Sequence, residues 1–289
     1  MECISPAGGD IELSDEVLRW GLPRLRELPW RFTRDPWAIL VSEVMLQQTQ
    51  VMRVVPKWHA FMATYPSPAD CAAASLGDVL RLWQGLGYPR RARNLHAAAA
   101  QVVALGEFPS SLYALLQLPG VGGYTARAVL AFAFEADAAV VDTNIARVLA
   151  RLSGRRLTAK QAQAAADSGL PTGDSWAWNQ CLMDLGAVLC RPTSPQCDAC
   201  PLQARCAWHG VGVDPSVGSA GVSTSQARFA GSDRQARGRL MKALADGPVS
   251  VRRVTAVMRC DATRAARLLG DLQREGLVAQ RGGAVQLPS

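Results

Sequence analysis

Four cysteines lie close together near residue 200, in the order C-x6-C-x2-C-x5-C: Cys190, Cys197, Cys200 and Cys206. Thiols gathered within one short loop either bridge one another or hold a metal centre. The chain begins MECISPAGGD, without the basic and then apolar residues of a secretory signal. We therefore expect a reducing compartment, where disulfides are rare and a four-thiolate cage binds zinc or an iron–sulfur cluster.

The spacing of the cysteines favours the cluster over the zinc ion. Zinc ribbons usually place two C-x2-C pairs on separate turns. Here a single pair, Cys197 and Cys200, is flanked by wider gaps. A compact loop wrapped around a cubane fits this pattern. We expect a 4Fe-4S cluster, with zinc as the alternative.

Composition and charge narrow the classes of protein to be considered. The chain has 289 residues and 49% hydrophobic content, enough for one to three packed domains. Because no uncharged apolar run reaches membrane-spanning length, we expect a cytoplasmic protein. The excess of positive charge is concentrated in residues 233–289, which carry eleven basic and five acidic groups. An arginine-rich tail of this kind suits contacts with phosphate.

Upstream of residue 210 the sequence has the periodicity of helices. Apolar residues recur at i, i+3 and i+4 along several stretches, which include 14–28, 38–65, 91–106 and 177–190. Pro and Gly occupy the connections, and alternating β-branched runs are missing from this part of the sequence. The sequence therefore predicts an all-α body.

A segment with neither helical nor strand periodicity separates this body from the tail. Residues 210–232 are rich in Gly, Ser and Val and predict a flexible linker. In residues 233–289, three helical stretches precede a short apolar run, a turn at Arg281-Gly282-Gly283 and a second apolar run. This is winged-helix order, which is common in nucleic-acid-binding modules. A small helical module that contacts another protein is the alternative.

The segment LPGVGGYTARAVLAF predicts a hairpin between two helices. Gly120, Val121, Gly122 and Gly123 form its turn, where glycine allows positive φ angles and close approach of a partner. Free amides at the start of the following helix form a site for an anion. A tight turn between two packed helices is the simpler explanation of a G-x-G sequence. A helix-hairpin-helix that binds DNA phosphate is the functional one.

Two carboxylates lie within or directly after apolar stretches of the sequence. Glu43 is the only charged residue between Trp37 and Arg53. Burial there would raise its pKa and keep a proton available for a departing group, unless the side chain faces solvent. Asp142 follows the apolar run AAVV and precedes a helix, a position typical of an N-cap. The same position would keep the carboxylate ionised.

The motifs together resemble the helix-hairpin-helix DNA glycosylases of the endonuclease III superfamily. LPGVGxxTA, Asp-x-Asn before a helix and the cysteine loop carry this resemblance. LPWR (28–31), SEVMLQQTQV (42–51), GLGYPRRARNLH (85–96) and NQCLMDLGAVLC (179–190) are similar to its A/G-specific adenine glycosylase branch, the MutY type. The similarity extends from about residue 15 to 210.

The resemblance implies an all-α, two-lobed fold. Residues 1–29 and 136–209 would form an iron–sulfur lobe, and 30–135 a helical barrel with the helix-hairpin-helix. A flexible linker, 210–232, would connect them to a small basic winged-helix-like domain, 233–289.

The resemblance also implies an activity, the hydrolysis of adenine from double-stranded DNA where it is mispaired with 8-oxoguanine or guanine. The enzyme would act as a monomer at the DNA of the nucleoid. The alternatives are a thymine glycosylase acting on T:G mismatches and a non-catalytic iron–sulfur protein that binds DNA.

The resemblance assigns roles to individual residues. Glu43 would protonate the base, and Asp142, with Asn144, would stabilise or covalently trap the sugar cation. Tyr124 stands where bifunctional relatives have a lysine, so a Schiff base is not expected there. The residues expected to contact DNA or the flipped base are Arg31, Leu46, Gln48, Tyr88 and Gln180, together with the hairpin.

Overall fold

The computed structural model describes residues 10–222 and 228–289, and helices dominate them. The helices are α1 Asp10–Gly21, α2 Pro36–Leu46, α3 Val51–Thr64, α4 Pro68–Ala73, α5 Leu76–Leu82, α6 Arg90–Leu105, α7 Leu112–Leu116, α8 Gly123–Ala133, α9 Thr143–Ser153, α10 Ala159–Ser168, α11 Ser175–Val188, α12 Asp233–Asp246, α13 Val254–Met258 and α14 Ala262–Arg274. The strands are β1 Val249–Ser250, β2 Ala279–Arg281 and β3 Ala284–Gln286. No described helix is long and apolar enough to cross a bilayer.

Side chains at the helix ends explain several of these boundaries. Ser67 and Asp70 form a capping box at the start of α4, in which each side chain satisfies a backbone amide of the other residue. Thr158 and Gln161 do the same at α10. Asp261 accepts a hydrogen bond from the Arg264 amide and begins α14.

The chain divides into two compact units. The first comprises the described residues within Met1–Ile39, Ser110–Tyr113 and Gly122–Ser225. The second comprises those within Leu40–Pro109, Ala114–Val121 and Gln226–Ser289.

The core of the first unit lies where α1 and α9 pack on α11. Its buried members are Val17, Ile145, Val148, Trp178, Cys181, Leu182, Leu185 and Leu202, the last of which comes from the cysteine loop. The contact between α9 and α11 is close at Gly186. A Cβ atom there would lie 2.6 Å from Cβ of Asn144, so only glycine fits.

The second unit contains helices α3–α6 and the C-terminal segment. α4 and α5 pack against α6, while α12, α13 and α14 pack together beside a three-stranded antiparallel sheet of order β1-β3-β2. The predicted fold class, all-α with a small C-terminal module, is therefore confirmed. β1, between α12 and α13, adds a third strand that the sequence did not predict.

Two expectations about chain organisation need correction. The helical stretch 38–65 is interrupted after Leu46, and α3 begins only at Val51. The segment predicted as a flexible linker, 210–232, is packed in its first part. The Asp214 carboxylate pairs with Arg151 at 2.6 Å, and the Ala220 amide donates to the Leu157 carbonyl at 2.9 Å. Residues 223–227 lie outside the described residues.

The C-terminal module is part of the second unit, and it is not a compact unit of its own. α12 packs on α5, and the Gly77 amide donates to the Pro288 carbonyl at 2.9 Å. Arg93 donates to the Glu275 carbonyl at 2.6 Å, and Gln84 donates to the Met241 carbonyl at 3.2 Å. These hydrogen bonds tie the module to helices that the sequence places far away.

A buried ion pair fixes the segment after α1 to α11. Arg31 donates from both terminal nitrogens to the Asp184 carboxylate at 2.8 and 2.9 Å, and Asp184 is 1% exposed. Arg26 adds its backbone amide at 2.9 Å and its Nε at 2.7 Å. Burial raises the pKa of Asp184, but the bonds from Arg31 and Arg26 outweigh this, and its pKa is lowered.

Asp184→Asn should therefore destabilise the protein by ~3–5 kcal/mol, because it leaves the buried Arg31 charge without compensation. The measurement is urea unfolding at pH 7, with Asp174→Asn, an exposed aspartate at the start of the same helix, as the matched control. Since the folded-state pKa is depressed, the contribution of Asp184 is present above about pH 4 and is lost as the pH falls through its folded pKa. Equal stabilities of the two variants at pH 7 would contradict this account.

Candidate functional site

Glu43 lies in the most apolar part of the second unit. Every residue of α2 from Trp37 to Met45 is buried, and Glu43 is 4% exposed. A solvent-facing position, the alternative for this residue, is thereby excluded. The continuous apolar run explains the helix, because it is buried on all sides and needs no polar face.

Asp142 is the N-cap of α9 in the first unit. Its Oδ1 accepts hydrogen bonds from the amides of Asn144 at 2.9 Å and Ile145 at 2.7 Å. Its Oδ2 accepts a third bond, from Nδ2 of Asn144 at 2.9 Å. The Asp-x-Asn pair is thus one hydrogen-bonded unit that also begins a helix.

The extended run before Asp142 is held by α11. Oδ1 of Asn179 accepts the Val140 amide at 2.9 Å, and Nδ2 of Asn179 donates to the Ala138 carbonyl at 2.9 Å. Ser175 binds the Ala138 amide and carbonyl as well. Gln163 adds a bond from its Nε2 to the Ala139 carbonyl at 3.1 Å, so three side chains hold this buried segment, which has no β-sheet partner. This fixes the position of Asp142.

Two opposing effects set the ionisation of Asp142. Desolvation disfavours the charged carboxylate and raises its pKa. The bonds from Ile145 and Asn144 and the charge of Arg147 favour the carboxylate, but desolvation is larger and the pKa stays above its ordinary value. The sequence indicated only the stabilising influence of the helix terminus.

The opposite end of α9 holds the cysteine loop through two buried arginines. Arg147 donates to the Cys190 carbonyl at 2.7 Å and to Oδ1 of Asn144 at 2.9 Å. Arg151 donates to Sγ of Cys190 at 3.3 Å and pairs with Asp214. Sequence reasoning missed both arginines. The signal for them is their spacing, since 144, 147 and 151 lie on one face of a helix.

The four cysteines line one pocket in the first unit. Its walls also include Arg151, Leu189 and Trp208. None of the four cysteines is in a disulfide. Among the described residues, no three His, Cys, Asp or Glu side chains converge closely enough to hold a single metal ion.

The four thiols around this pocket fit a metal centre. Thiolates are the preferred ligands of iron–sulfur clusters and zinc, but a zinc ion draws four sulfurs to about 2.3 Å from one centre. Burial, together with repulsion from the other three thiolates, raises the pKa of Cys200 to about 11. A bound cation or cationic cluster would offset the charge of thiolates at this position.

The hairpin connects α7 to α8 as predicted. Gly120 has φ 78°, and a Cβ atom there would lie 2.7 Å from Cβ of Asn94, so this position requires glycine. Gly122 has φ −96°, and Gly123 is already in α8, so the expected positive φ is confined to Gly120. Val121 is buried, whereas Gly122 and Gly123 are exposed. Tyr124 is half-buried in the first turn of α8.

Leu46, Gln48 and Tyr88 lie in or beside two loops of the second unit. Leu46 ends α2 and is half-buried, while Gln48 and Tyr88 are exposed. Gln48 has φ 55° and Tyr88 has φ 47°, in the left-handed region that few non-glycine residues adopt. Strained backbone of this kind often marks functional residues.

Arg31 and Gln180 are buried in the first unit. Arg31 is 6% exposed, and both of its terminal nitrogens bind Asp184. Gln180 is 4% exposed on α11. Arg31 is thus firmly positioned by an ion pair that the sequence motif did not indicate.

Comparison with known proteins identifies the family. Residues 41–171 match the HhH-GPD superfamily of base excision DNA repair proteins. An adenine DNA glycosylase of Mycolicibacterium smegmatis is 41% identical over 281 residues, 92% of each chain. The chain belongs to the adenine DNA glycosylase family. The predicted family is confirmed.

Other relatives and solved structures agree in fold. The human adenine DNA glycosylase is 41% identical over 211 residues, which are 66% of this chain and 38% of the human one. A thermostable thymine-DNA glycosylase superposes with TM-score 0.66 at 31% identity, over 69% of this chain and 96% of that chain. Endonuclease III in a non-covalent DNA complex superposes with TM-score 0.61 at 26% identity, over 69% of this chain and 94% of the endonuclease III chain.

The ionisation of Asp142 should depend on Asn144. Asn144→Ala removes the Nδ2 hydrogen bond to Oδ2, which stabilises the charged form, so the pKa of Asp142 should rise further. The measurement is the pH titration of the ¹³C carboxyl resonance of Asp142, assigned by its disappearance in Asp142→Asn. An unchanged or lower pKa in Asn144→Ala would show that this bond does not stabilise the carboxylate.

Proposed function

We propose that the chain hydrolyses the N-glycosidic bond of adenine mispaired with 8-oxoguanine or guanine in double-stranded DNA, acting as a monomer. The observation that carries the proposal is the state of the two carboxyl groups. Glu43 is buried in an apolar helix, and Asp142 is held by three hydrogen bonds at the start of α9. Glycosidic cleavage needs one carboxyl group as acid and a second to stabilise positive charge.

The proposed reaction begins with proton transfer from Glu43 to a ring nitrogen of the flipped adenine. The C1′–N9 bond then breaks, and its electron pair leaves with the base. The sugar becomes an oxocarbenium ion, which the Asp142 carboxylate stabilises or captures as an ester. Water supplies the hydroxyl group at C1′, and its proton returns to a carboxylate. The products are free adenine and an abasic site.

Tyr124 supports an enzyme without lyase activity. A glycosylase that also cuts the strand needs an amine to form a Schiff base with the sugar. A phenol at this position cannot form that bond. We therefore propose that the abasic product leaves the enzyme with its strand intact.

Three parts of the chain are proposed to hold the DNA. The hairpin, with exposed Gly122 directly before α8 and exposed Gly123 at its first position, would receive a phosphate at the helix start. Leu46, Gln48 and Tyr88 would occupy the space that the flipped adenine leaves. Arg31 and Gln180 are proposed to contact the flipped adenine.

The cysteine pocket is proposed to hold a 4Fe-4S cluster through Cys190, Cys197, Cys200 and Cys206. Such a cluster, when bound, supplies four metal–thiolate bonds that order the loop. The Arg151 guanidinium lies next to the Cys190 sulfur, and the Arg151 carbonyl lies 3.3 Å from the Cys206 sulfur. α9 would transmit this order to Asp142, because Asp142 and Arg151 are the two ends of one helix.

The function is tested with duplexes that contain A:8-oxoguanine, A:G, T:G or only paired bases. Alkali converts each abasic site into a strand break. Breaks at the adenine strand of the first two duplexes support the proposal. Breaks at T:G alone would make the protein a thymine glycosylase, and binding without any break would make it a non-catalytic DNA-binding protein.

Asp142→Asn should separate capping from catalysis. Asparagine caps a helix about as well as aspartate, so stability should stay within about 1 kcal/mol of the parent. Loss of the negative charge should slow single-turnover adenine release by at least about 10²-fold. Mispair binding should persist. Release at the parent rate would leave Asp142 only its capping role.

The proposed cluster predicts about four irons and four sulfides per chain of brown protein. Cys197→Ser should lower both contents and weaken the cysteine loop, because one metal–thiolate bond is lost. Cys260→Ser, a half-buried cysteine of the C-terminal module, is the control and should leave iron unchanged. If the protein instead contains one zinc ion per chain and no sulfide, the site binds zinc and not a cluster.

A further inference from the structure

The two residues proposed to enter the DNA stack have an unfavourable backbone. Gln48 (φ 55°) and Tyr88 (φ 47°) both sit in the left-handed region, although neither is glycine. Such a conformation persists only where the surroundings impose it. The contacts around the two loops should therefore include a group that holds both of them.

Arg91, at the second position of α6, holds the loop that follows α2. One terminal nitrogen, Nη1, donates to three carbonyls where α2 ends, those of Val44 (2.8 Å), Met45 (3.0 Å) and Gln47 (2.6 Å). Carbonyls in the last turn of a helix are favourable acceptors for a side-chain donor, because a helix does not satisfy all of them itself. A positive charge also suits the negative end of the helix dipole. Arg91 thus ends α2 directly before Gln48.

The same guanidinium holds the second loop. Its Nη2 donates to the carbonyls of Leu86 at 2.9 Å and Gly87 at 3.2 Å, and to Oγ1 of Thr49 at 3.1 Å. The guanidinium carbon lies 5.4 Å from the centre of the Tyr88 ring, within cation–π range. One planar group therefore joins the loop of Gln48 to the loop of Tyr88. Burial lowers the pKa of Arg91 to about 10, so the group is still charged at neutral pH.

Tyr88 has a second arginine contact, which comes from the C-terminal module. Nη1 of Arg234, in the first turn of α12, donates to the Tyr88 hydroxyl oxygen at 3.1 Å. The module is anchored on α6, the helix that follows the Tyr88 loop, because Arg93 in α6 donates to the Glu275 carbonyl. Arg237 and Glu275 then form an ion pair within the module. Arg234 is therefore positioned by packing and is not at the end of a free tail.

We propose that Arg91 and Arg234 are positioning residues that hold Tyr88 and Gln48 ready to enter the DNA stack, so the C-terminal module takes part in base flipping. The inference rests on the proposed function, in which these two residues occupy the space that adenine leaves. Neither arginine has a role in bond cleavage. Their loss should therefore slow reactions limited by flipping and spare those in which the adenine is already unstacked.

Arg91→Lys is the first test, because lysine keeps the charge but cannot span two loops with one planar group. Single-turnover release from A:G duplexes should fall at least about tenfold, and release from adenine in a single strand or opposite an abasic analogue should fall less than about threefold. The fluorescence of 2-aminopurine beside the target adenine should rise less on binding. Arg90→Lys, the exposed preceding residue, is the matched control.

Arg234→Ala tests the role of the module with a milder substitution. It should slow release from A:G duplexes about threefold to fivefold, and combining it with Tyr88→Phe should add nothing, since both remove one hydrogen bond. Arg252→Ala removes the same charge from an exposed position of the module and serves as the control. Additive losses, or equal losses in Arg234→Ala and Arg252→Ala, would overturn the role of Arg234.

The outcome for Arg91 is equally decisive. If Arg91→Lys loses the same factor on duplex and unstacked substrates, or matches the parent on both, Arg91 does not act through the wedge residues. Circular dichroism and thermal unfolding of each variant identify a general loss of folding. The same assay measures adenine release by the parent protein. If the parent releases no adenine, the proposed function itself is refuted.

Discussion

Helix α9 is the constraint on which the first unit depends. Asp142 begins it, and the buried Arg147 and Arg151 leave its side to bind the cysteine loop. Gly186 lets α11 approach so closely that Asn144 is fixed between the two helices. The candidate catalytic carboxylate and the candidate cluster loop are therefore positioned by the same short element.

Buried or half-buried arginines perform a similar task in both units. Arg147 and Arg91 bind mainly backbone carbonyls, whereas Arg31 and Arg151 also pair with carboxylates. A guanidinium has five donors in one plane, so it can satisfy several carbonyls that a loop leaves without partners. The result is irregular backbone that is nevertheless firmly held. The proposed chemistry depends on placing two carboxyl groups and a wedge, and such backbone would supply the precision that it needs.

The basic C-terminal module combines charge with close packing. Several of its arginines are neutralised locally, since Asp233 pairs with Arg264 and Arg267, and Glu275 pairs with Arg237. The net charge of the module therefore overstates how much positive charge remains available for contacts with phosphate. The module packs on α5 and α6, and for this reason it forms one compact unit together with those helices. The contact with Tyr88 then makes the module a neighbour of the proposed wedge.

The sequence by itself determined the helical class, the helix-hairpin-helix, the cysteine loop and the identity of the candidate residues, because periodicity, turn glycines and motif spacing are local properties. It also determined Asp142 as an N-cap, since a cap needs only the following residues. The tertiary structure decided the break after Leu46, the third strand, the packing of residues 210–222 and the attachment of the C-terminal module. Each of these depends on partners distant in sequence: Arg91 for the break, β3 for β1, Arg151 for Asp214, and α5 and α6 for the module. Hydrophobic periodicity indicates which face of an element is buried, but it does not specify which distant side chain meets it.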